Sequence, residues 1–305
     1  MIHNHLGELV GHTPLLALDR LFRDLPGRVV AKLECFNPYS LKDRPMLYCI
    51  QQAEQRGELK PGDTLVEATS GNTGIALAFL GRLKGYKVVL CMSEIQSAER
   101  RRILKSLGAE VILTPAAGGT RAAKARAVEI AAQRGGFQVN QHGNLDNPLA
   151  HENTTGEEIW RDTDGKIDIF VAGLGTGGTI CGTSRALKKH NPAIHVAGVE
   201  PEEAPVLSKG EFKPHKIMGL APGFVPAVYD PALVDEILTA SQDQAFAMCR
   251  ALAAEEGLLA GISSGAVAAA AGELAAKTEN DGKLIVCIFA DSGERYLSVT
   301  GLFDG

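Results

Sequence analysis

The chain has 305 residues, with 31 Lys and Arg against 36 Asp and Glu; a formal net charge of −5 without a basic block speaks against nucleic-acid binding. A hydrophobic share of 45% and a charged share of 22% belong to a soluble globular protein of one large or two ordinary domains, and no apolar run reaches the length of a membrane span. The six cysteines are scattered without a Cys-x-x-Cys pair, and His3 and His5 lack Cys or acidic partners at ligand spacing, so no metal is expected. With no basic and apolar leader pattern in Met1 to His5, these features predict a reducing, cytoplasmic location.

In chain order, residues 8–34 read as a short helix, a bend at Thr13-Pro14-Leu15 and a strand from Val29 to Glu34. Lys42 follows in Ser40-Leu41-Lys42-Asp43-Arg44. Asp43 is placed to cap the next helix and Pro45 suits its first turn. That helix, Met46 to Arg56, sets Met46, Cys49, Ile50 and Ala53 on one apolar face. Strand Thr64 to Ala68 leads through Thr69-Ser70-Gly71-Asn72-Thr73-Gly74 into a helix ending before Gly85. Strand Lys87 to Met92, helix Ser97 to Leu107, strand Glu110 to Leu113, helix Gly119 to Arg134 and strand Phe137 to Val139 complete the first half. Asn144 to Pro148 interrupts the alternation and marks a domain boundary. Helix His151 to Arg161, strand Ile167 to Ala172, helix Gly178 to His190 and strand His195 to Glu200 then resume it. Residues 201–233, rich in Pro and Gly, read as a long functional loop. Helices Ser241 to Glu256 and Ser264 to Lys277 and strand Leu284 to Phe289 close the chain. Strand and helix alternating over short connections predict an α/β fold of largely parallel sheets, covered by helices on both faces.

Two loops fall where such sheets bind ligands, at strand ends and helix starts. In Gly173-Leu174-Gly175-Thr176-Gly177-Gly178-Thr179, small residues let backbone N–H groups approach an anion, the helix adds its positive end, and Thr176 and Thr179 add hydroxyls; a phosphate site is predicted. Gly173, Gly175 and Gly178 also satisfy G-x-G-x-x-G, with Glu200 where a ribose-binding acid would stand, so an NAD-dependent oxidoreductase is an alternative. The loop from Thr69 to Gly74 is richer in hydroxyls and suits a carboxylate, with Gln141 as a further amide donor. Gly261-Ile262-Ser263-Ser264-Gly265 is another turn into a helix, open to reading as an N-cap by Ser263 or Ser264. Taken alone, Lys42 reads as a solvated lysine beside a helix start.

Taken together, Ser40-x-Lys42-Asp43-Arg44, Thr69 to Gly74, Gly175 to Thr179 and Gly261 to Gly265 occur in the order and spacing of a known family. The chain resembles, almost end to end, the cysteine synthase (O-acetylserine sulfhydrylase) branch of the fold-type II pyridoxal-phosphate-dependent enzymes. The resemblance implies two doubly wound α/β domains with pyridoxal 5′-phosphate in the cleft between them. Residues 1–40 and 149–305 would form the larger, cofactor-phosphate-binding domain, and 41–148 the smaller, substrate-carboxylate-binding one. Lys42 would be the Schiff-base lysine. Gly175, Thr176, Gly177, Gly178 and Thr179 would hold the cofactor phosphate, Asn72 its 3′ oxygen and Ser263 its pyridine nitrogen. Thr69, Ser70, Asn72, Thr73 and Gln141 would bind the amino-acid substrate. The implied reaction is β-replacement through an α-aminoacrylate, forming L-cysteine from O-acetyl-L-serine and sulfide. A homodimer is implied too, with a serine acetyltransferase C-terminus as a partner that some relatives accept.

Three departures bear on the substrate. Asn37-Pro38-Tyr39-Ser40 is one residue shorter than the family's usual approach to the lysine, with Tyr39 where glycine is common. His142 replaces a common aromatic after Gln141 and reads as a proton carrier or a polar substitute. Pro222 stiffens the loop expected at the entrance. These leave open another activated serine with a thiol, or β-elimination from cysteine with release of hydrogen sulfide. Serine or threonine dehydration and a non-catalytic role fit the motifs less well.

Overall fold

A computed structural model of the protein describes residues 2–96 and 98–304. The chain divides into two compact units, Met1–Val10 with Pro38–Asp146 and Gly11–Asn37 with Asn147–Gly305. The first strands, β1 (Leu15–Ala17) and β2 (Arg28–Leu33), belong to the second unit.

The first unit alternates α1 (Asp43–Gln55), β3 (Thr64–Ala68), α2 (Asn72–Lys84), β4 (Lys87–Ser93), α3 (Ala98–Ser106), β5 (Glu110–Thr114), α4 (Gly119–Arg134) and β6 (Phe137–Gln138). Its four strands lie in the order β5-β4-β3-β6, all parallel. Residues of adjacent pleats go to opposite faces: Leu65 and Leu90 pack with Met46, Ile50 and Leu77, while Val66 and Val89 pack with Ala127 and Ile130. This two-sided burial is why the strands are nearly continuously apolar rather than alternating. Met46, Cys49, Ile50 and Ala53 are fully buried, as their spacing predicts. Ser97, the expected start of the next helix, lies outside the described residues.

The second unit continues with α5 (Asp146–Ala150), whose first residue still belongs to the first unit, and α6 (Glu157–Asp162). There follow β7 (Ile169–Gly173), α7 (Gly178–His190), β8 (His195–Pro201), α8 (Val206–Lys209), β9 (Glu236–Ala240), α9 (Gln242–Glu256), α10 (Ile262–Ala276) and β10 (Leu284–Phe289). The sheet order is β1-β2-β10-β7-β8-β9, parallel except for the antiparallel edge pair β1 and β2. Both edge strands, β1 and β9, go beyond the sequence expectation. Where one helix was expected from His151, there are α5, a π-helical stretch over His151–Gly156, and α6. Close packing accompanies this irregular segment. A Cβ on Gly182 of α7 would stand 2.0 Å from the Pro148 carbonyl oxygen, and one on Gly156 would stand 2.5 Å from Ala186 Cβ.

A buried polar network secures the segment before the lysine. Lys32 on β2 is fully buried, with its Nζ 2.8 Å from Glu158 and donating to the Thr13 carbonyl at 2.6 Å. Glu34 accepts from Thr13 Oγ1 at 2.6 Å and from Asn37 Nδ2 at 2.9 Å, and Asn37 Oδ1 accepts from Gly11 N at 2.8 Å. All six cysteines are free thiols, five of them buried. Burial raises the Cys35 thiol to about 12, which makes it unreactive as a nucleophile. Among the described residues no helix is long and apolar enough to cross a membrane.

Candidate active site

In the first unit the chain builds outward from β3 through β4 and β5, then returns to the other side of β3 with β6. Ligands of open α/β sheets bind outside the carboxyl ends of the strands at such a reversal. The Thr69–Gly74 loop follows β3 and Gln141 follows β6. Thr73 Oγ1 donates to Gln141 Oε1 at 2.6 Å, which joins the two sides of the switch point and directs the Gln141 amide nitrogen as its donor end. Thr69, Ser70 and Asn72 are half-buried and Thr73 is buried. Asn72 and Thr73 begin α2, so the loop also presents the positive end of a helix.

Lys42 is half-buried, and its backbone is fixed on both sides. Asp43 does not cap α1; it is the first residue of that helix, and its buried carboxylate reaches back to accept from Tyr39 N at 2.7 Å and Ser40 N at 3.1 Å. Ser40 Oγ in turn accepts from Lys42 N at 3.2 Å, and the Lys42 carbonyl accepts from Met46 N at 3.1 Å. Tyr39, which precedes Ser40 in the approach to the lysine, packs its ring on Phe79 of α2 with centroids 5.1 Å apart.

Burial, with the positive charges of Lys124 and Lys42, pushes His142 down to about 4. It is therefore neutral near pH 7. Burial also depresses Lys124, against the attraction of Glu67. Glu67 is buried and pushed up to about 7, opposed by backbone N–H groups of Ala68, Asn140 and Gln141. Lys42, His142, Lys124 and Glu67 thus form one electrostatically linked set.

The second unit has its own reversal, since β8 and β9 extend from one side of β7 and β10 returns on the other. The Gly173–Thr179 loop leaves β7 there. Its glycines are obligatory: a Cβ on Gly175 would stand 2.3 Å from the Gly219 carbonyl oxygen, one on Gly178 would stand 2.1 Å from Asn147 Oδ1, and Gly177 has φ +85°. The backbone N–H groups that open α7, with the buried hydroxyls of Thr176 and Thr179, form a cradle of donors suited to an anion. Helix α10 starts at Ile262 with Gly261 at its N-cap, so neither Ser263 nor Ser264 is spent on capping. Ser264 Oγ accepts from Ala290 N at 3.1 Å. Ser263 Oγ lies 4.0 Å from the ideal Cβ of Gly219, the residue whose carbonyl crowds Gly175. The structure thus brings Ser263 and the glycine loop to the two sides of Gly219.

Glu200 has no role in binding ribose. It is fully buried, and its carboxylate accepts from Leu207 N at 2.7 Å, Ser208 N at 3.1 Å and Ser208 Oγ at 2.9 Å. The acid that a dinucleotide reading requires is committed to the start of α8, and that reading fails.

Two residues that touch the glycine loop were not singled out from the sequence. Asn147 Nδ2 donates to Thr176 Oγ1 at 3.2 Å. His151 is fully buried, with Nδ1 2.9 Å from Thr155 Oγ1 and Nε2 3.3 Å from Thr179 Oγ1. They precede their partners in the loop by 29 and 28 residues, Asn147 on α5 and His151 on the π-helical stretch, and no local motif marks them. The available signal was a break, Asn144 to Pro148, where a hydrophobic period gives way to polar residues.

Residues 6–291 match the family described as pyridoxal-phosphate dependent enzyme. A cysteine synthase of Staphylococcus aureus is 46% identical over 297 residues, which cover 97% of this chain and 96% of the relative. The crystal structure of O-acetyl serine sulfhydrylase isoform 3 from Entamoeba histolytica superposes with a TM-score of 0.96 at 42% identity, covering 100% of this chain and 92% of that one. That of an O-ureido-L-serine synthase gives a TM-score of 0.94 at 41% identity, covering 100% and 96%.

Proposed function

From the fact that the chain belongs to the pyridoxal-phosphate-dependent enzyme family, we propose that it forms L-cysteine from O-acetyl-L-serine and sulfide by β-replacement. What supports this reading above all is 46% identity to a cysteine synthase over 97% of the chain, together with two loops at the switch points of the two sheets. The local chemistry fits the cofactor: the glycine loop is a cradle that any Cβ would fill, edged by two hydroxyl donors, as a phosphate requires.

In this reading the second unit is the cofactor-phosphate domain, with Gly175 to Thr179 on the phosphate and Ser263 on the pyridine nitrogen. The first unit is the substrate domain. Lys42 tethers the cofactor, Asn72 binds its ring oxygen, and Thr69, Ser70, Thr73 and Gln141 bind the substrate carboxylate. Bound pyridoxal phosphate supplies an electron sink for the charge that develops at the substrate's α-carbon. Lys42 moves the proton: its amine takes hydrogen from the α-carbon as the β-substituent departs and returns it after the nucleophile adds. Ser263 offers a neutral hydroxyl, which does not keep the pyridine nitrogen charged as a carboxylate would, so departure of a β-group is favoured over transamination.

A second reading keeps the chemistry and changes the β-substituent or nucleophile, including net elimination from cysteine with release of hydrogen sulfide. The neutral, polar His142 beside Gln141 favours it, as does the likeness to an O-ureido-L-serine synthase. The free and largely buried thiols accord with a cytoplasmic setting, and a homodimer that accepts a serine acetyltransferase C-terminus fits the same family reading.

The test is product analysis of the purified enzyme with O-acetyl-L-serine and sulfide, alongside Lys42→Ala. L-cysteine should accumulate with the parent protein and fall by at least about a hundredfold in the variant, the usual scale for a lost acid–base group. Undiminished turnover by Lys42→Ala refutes the mechanism. If the parent uses another activated serine and ignores O-acetyl-L-serine, the second reading holds.

A further inference from the structure

A hydroxyl holds a phosphate only if its hydrogen points at it. Phosphate oxygens accept and do not donate, whereas a threonine hydroxyl rotates and donates to any acceptor nearby. What fills the acceptor side of Thr176 and Thr179 therefore decides whether the cradle is preset.

Thr176 Oγ1 accepts twice within the protein, from Asn147 Nδ2 at 3.2 Å and from Gly178 N at 3.2 Å. Both lone pairs are filled, so its hydrogen is left to be donated. Asn147 also occupies the space beside Gly178, where its Oδ1 lies 2.1 Å from an ideal Cβ. Thr179 has the buried His151 as its neighbour, 3.3 Å from Oγ1, and the other ring nitrogen of His151 lies 2.9 Å from Thr155 Oγ1. With Thr155 donating to Nδ1, that nitrogen carries no hydrogen, and Nε2 donates its own to Thr179 Oγ1. Every bond of Thr155–His151–Thr179 then runs one way, and the Thr179 hydrogen is released outward. The opposite tautomer would draw that hydrogen back into the protein.

We infer that Asn147 and His151 are positioning residues that hold the Thr176 and Thr179 hydroxyls as donors to the cofactor phosphate. The π-helical stretch gives this a structural basis: His151 and Thr155 both lie in the His151–Gly156 segment that packs on α7. Irregular helical turns of this kind recur at functional sites. The inference rests on reading the glycine loop as the phosphate site.

The test compares binding of pyridoxal 5′-phosphate and of pyridoxal, its phosphate-free analogue, to the full-length apoprotein by absorbance titration. Thr179→Val serves as the control for the loop. His151→Phe removes the donor, whereas His151→Gln places an amide nitrogen near the position of Nε2. The expectation is a loss of about tenfold in phosphate-form affinity for His151→Phe, the scale of one hydrogen bond to a charged group, with pyridoxal affinity unchanged and His151→Gln restoring most of the loss. Asn147→Leu, close in shape and uncharged, removes the donor to Thr176 Oγ1 and should weaken the phosphate form selectively. It also serves if His151→Phe does not fold. Equal losses for both ligands, or no loss in either the His151 or the Asn147 variant while Thr179→Val loses affinity, would overturn the inference. No loss in Thr179→Val would instead overturn the phosphate-loop reading itself.

Discussion

The two glycine-bearing loops that start α2 and α7 are built on opposite principles. In the second unit Gly175 and Gly178 face atoms 2.3 and 2.1 Å from an ideal Cβ, and Thr176 has both acceptor positions filled. In the first unit a Cβ on Gly71 would meet nothing within 4 Å, and the hydroxyl-bearing residues Thr69 and Ser70 beside it are half-buried. On the proposed function, a cofactor phosphate stays through every turnover, so its cradle is best formed before binding. A substrate carboxylate would arrive and leave, and the loop proposed to receive it has open space around Gly71. Holding and exchanging thus call for different packing around the same kind of strand-to-helix turn.

The largest expected effect breaks the tight side. Gly175→Ala drives a Cβ into a backbone oxygen, which cannot swing away as a side chain could. Overpacking of this kind costs about 1–3 kcal/mol, so the melting temperature should fall and the isolated protein should lose cofactor. Gly71→Ala should change stability by no more than about 0.5 kcal/mol, the range of surface substitutions. Equal thermal shifts in the two variants would erase the contrast between the loops.

A smaller effect tests the open side. Thr73→Val removes the bond that sets the Gln141 amide. Its loss should be worth about 1 kcal/mol, or roughly a fivefold rise in KM for the amino acid, with cofactor retained. Steady-state kinetics and the absorbance of the purified variant separate the two quantities. Loss of cofactor with KM unmoved would place Thr73 on the wrong ligand.

This contrast also explains which features were legible in the sequence. The loops Thr69 to Gly74 and Gly175 to Thr179 stand out because close backbone approach requires small residues in a short run. Residues 119–134 and 178–190 read as helices to their ends because Gly135 ends the first and Gly177 caps the second. Edge strands β1 and β9 lack the two-sided burial that gives a central strand its continuous apolar run, and both escaped notice. Asn147 and His151 act across nearly thirty residues of chain through single hydrogen bonds, a relationship with no local signature. Lys32 and Glu67 have the identities of surface residues and are buried on strands, Lys32 against Glu158 and Glu67 against the backbone N–H groups of Ala68, Asn140 and Gln141.

The smallest effect concerns protons, and it too separates the units. The glycine loop offers amides and hydroxyls, while the first unit contains Glu67 at about 7 and His142 at about 4. Glu67 binds its proton more tightly folded than at its ordinary 4.5, so its contribution is complete below that value and lost as pH rises through 7. His142 lies below its ordinary 6.5, so between those values the unfolded chain binds the extra proton and stability falls as pH drops from 6.5 to 4. Between 4.5 and 6.5 the two slopes oppose each other and partly offset. Glu67→Gln removes one of them. Its melting temperature, followed from pH 4 to 8, should climb toward 6.5 as the unfolded chain gives up the proton that folded His142 does not hold, and then flatten, without the decline that Glu67 imposes on the parent protein between 6.5 and about 7. If that decline survives in the variant, another group causes it. Lys124 faces both Glu67 and His142, so Lys124→Met should raise both titrations together, since the carboxylate loses a partner and the imidazolium loses a repulsion.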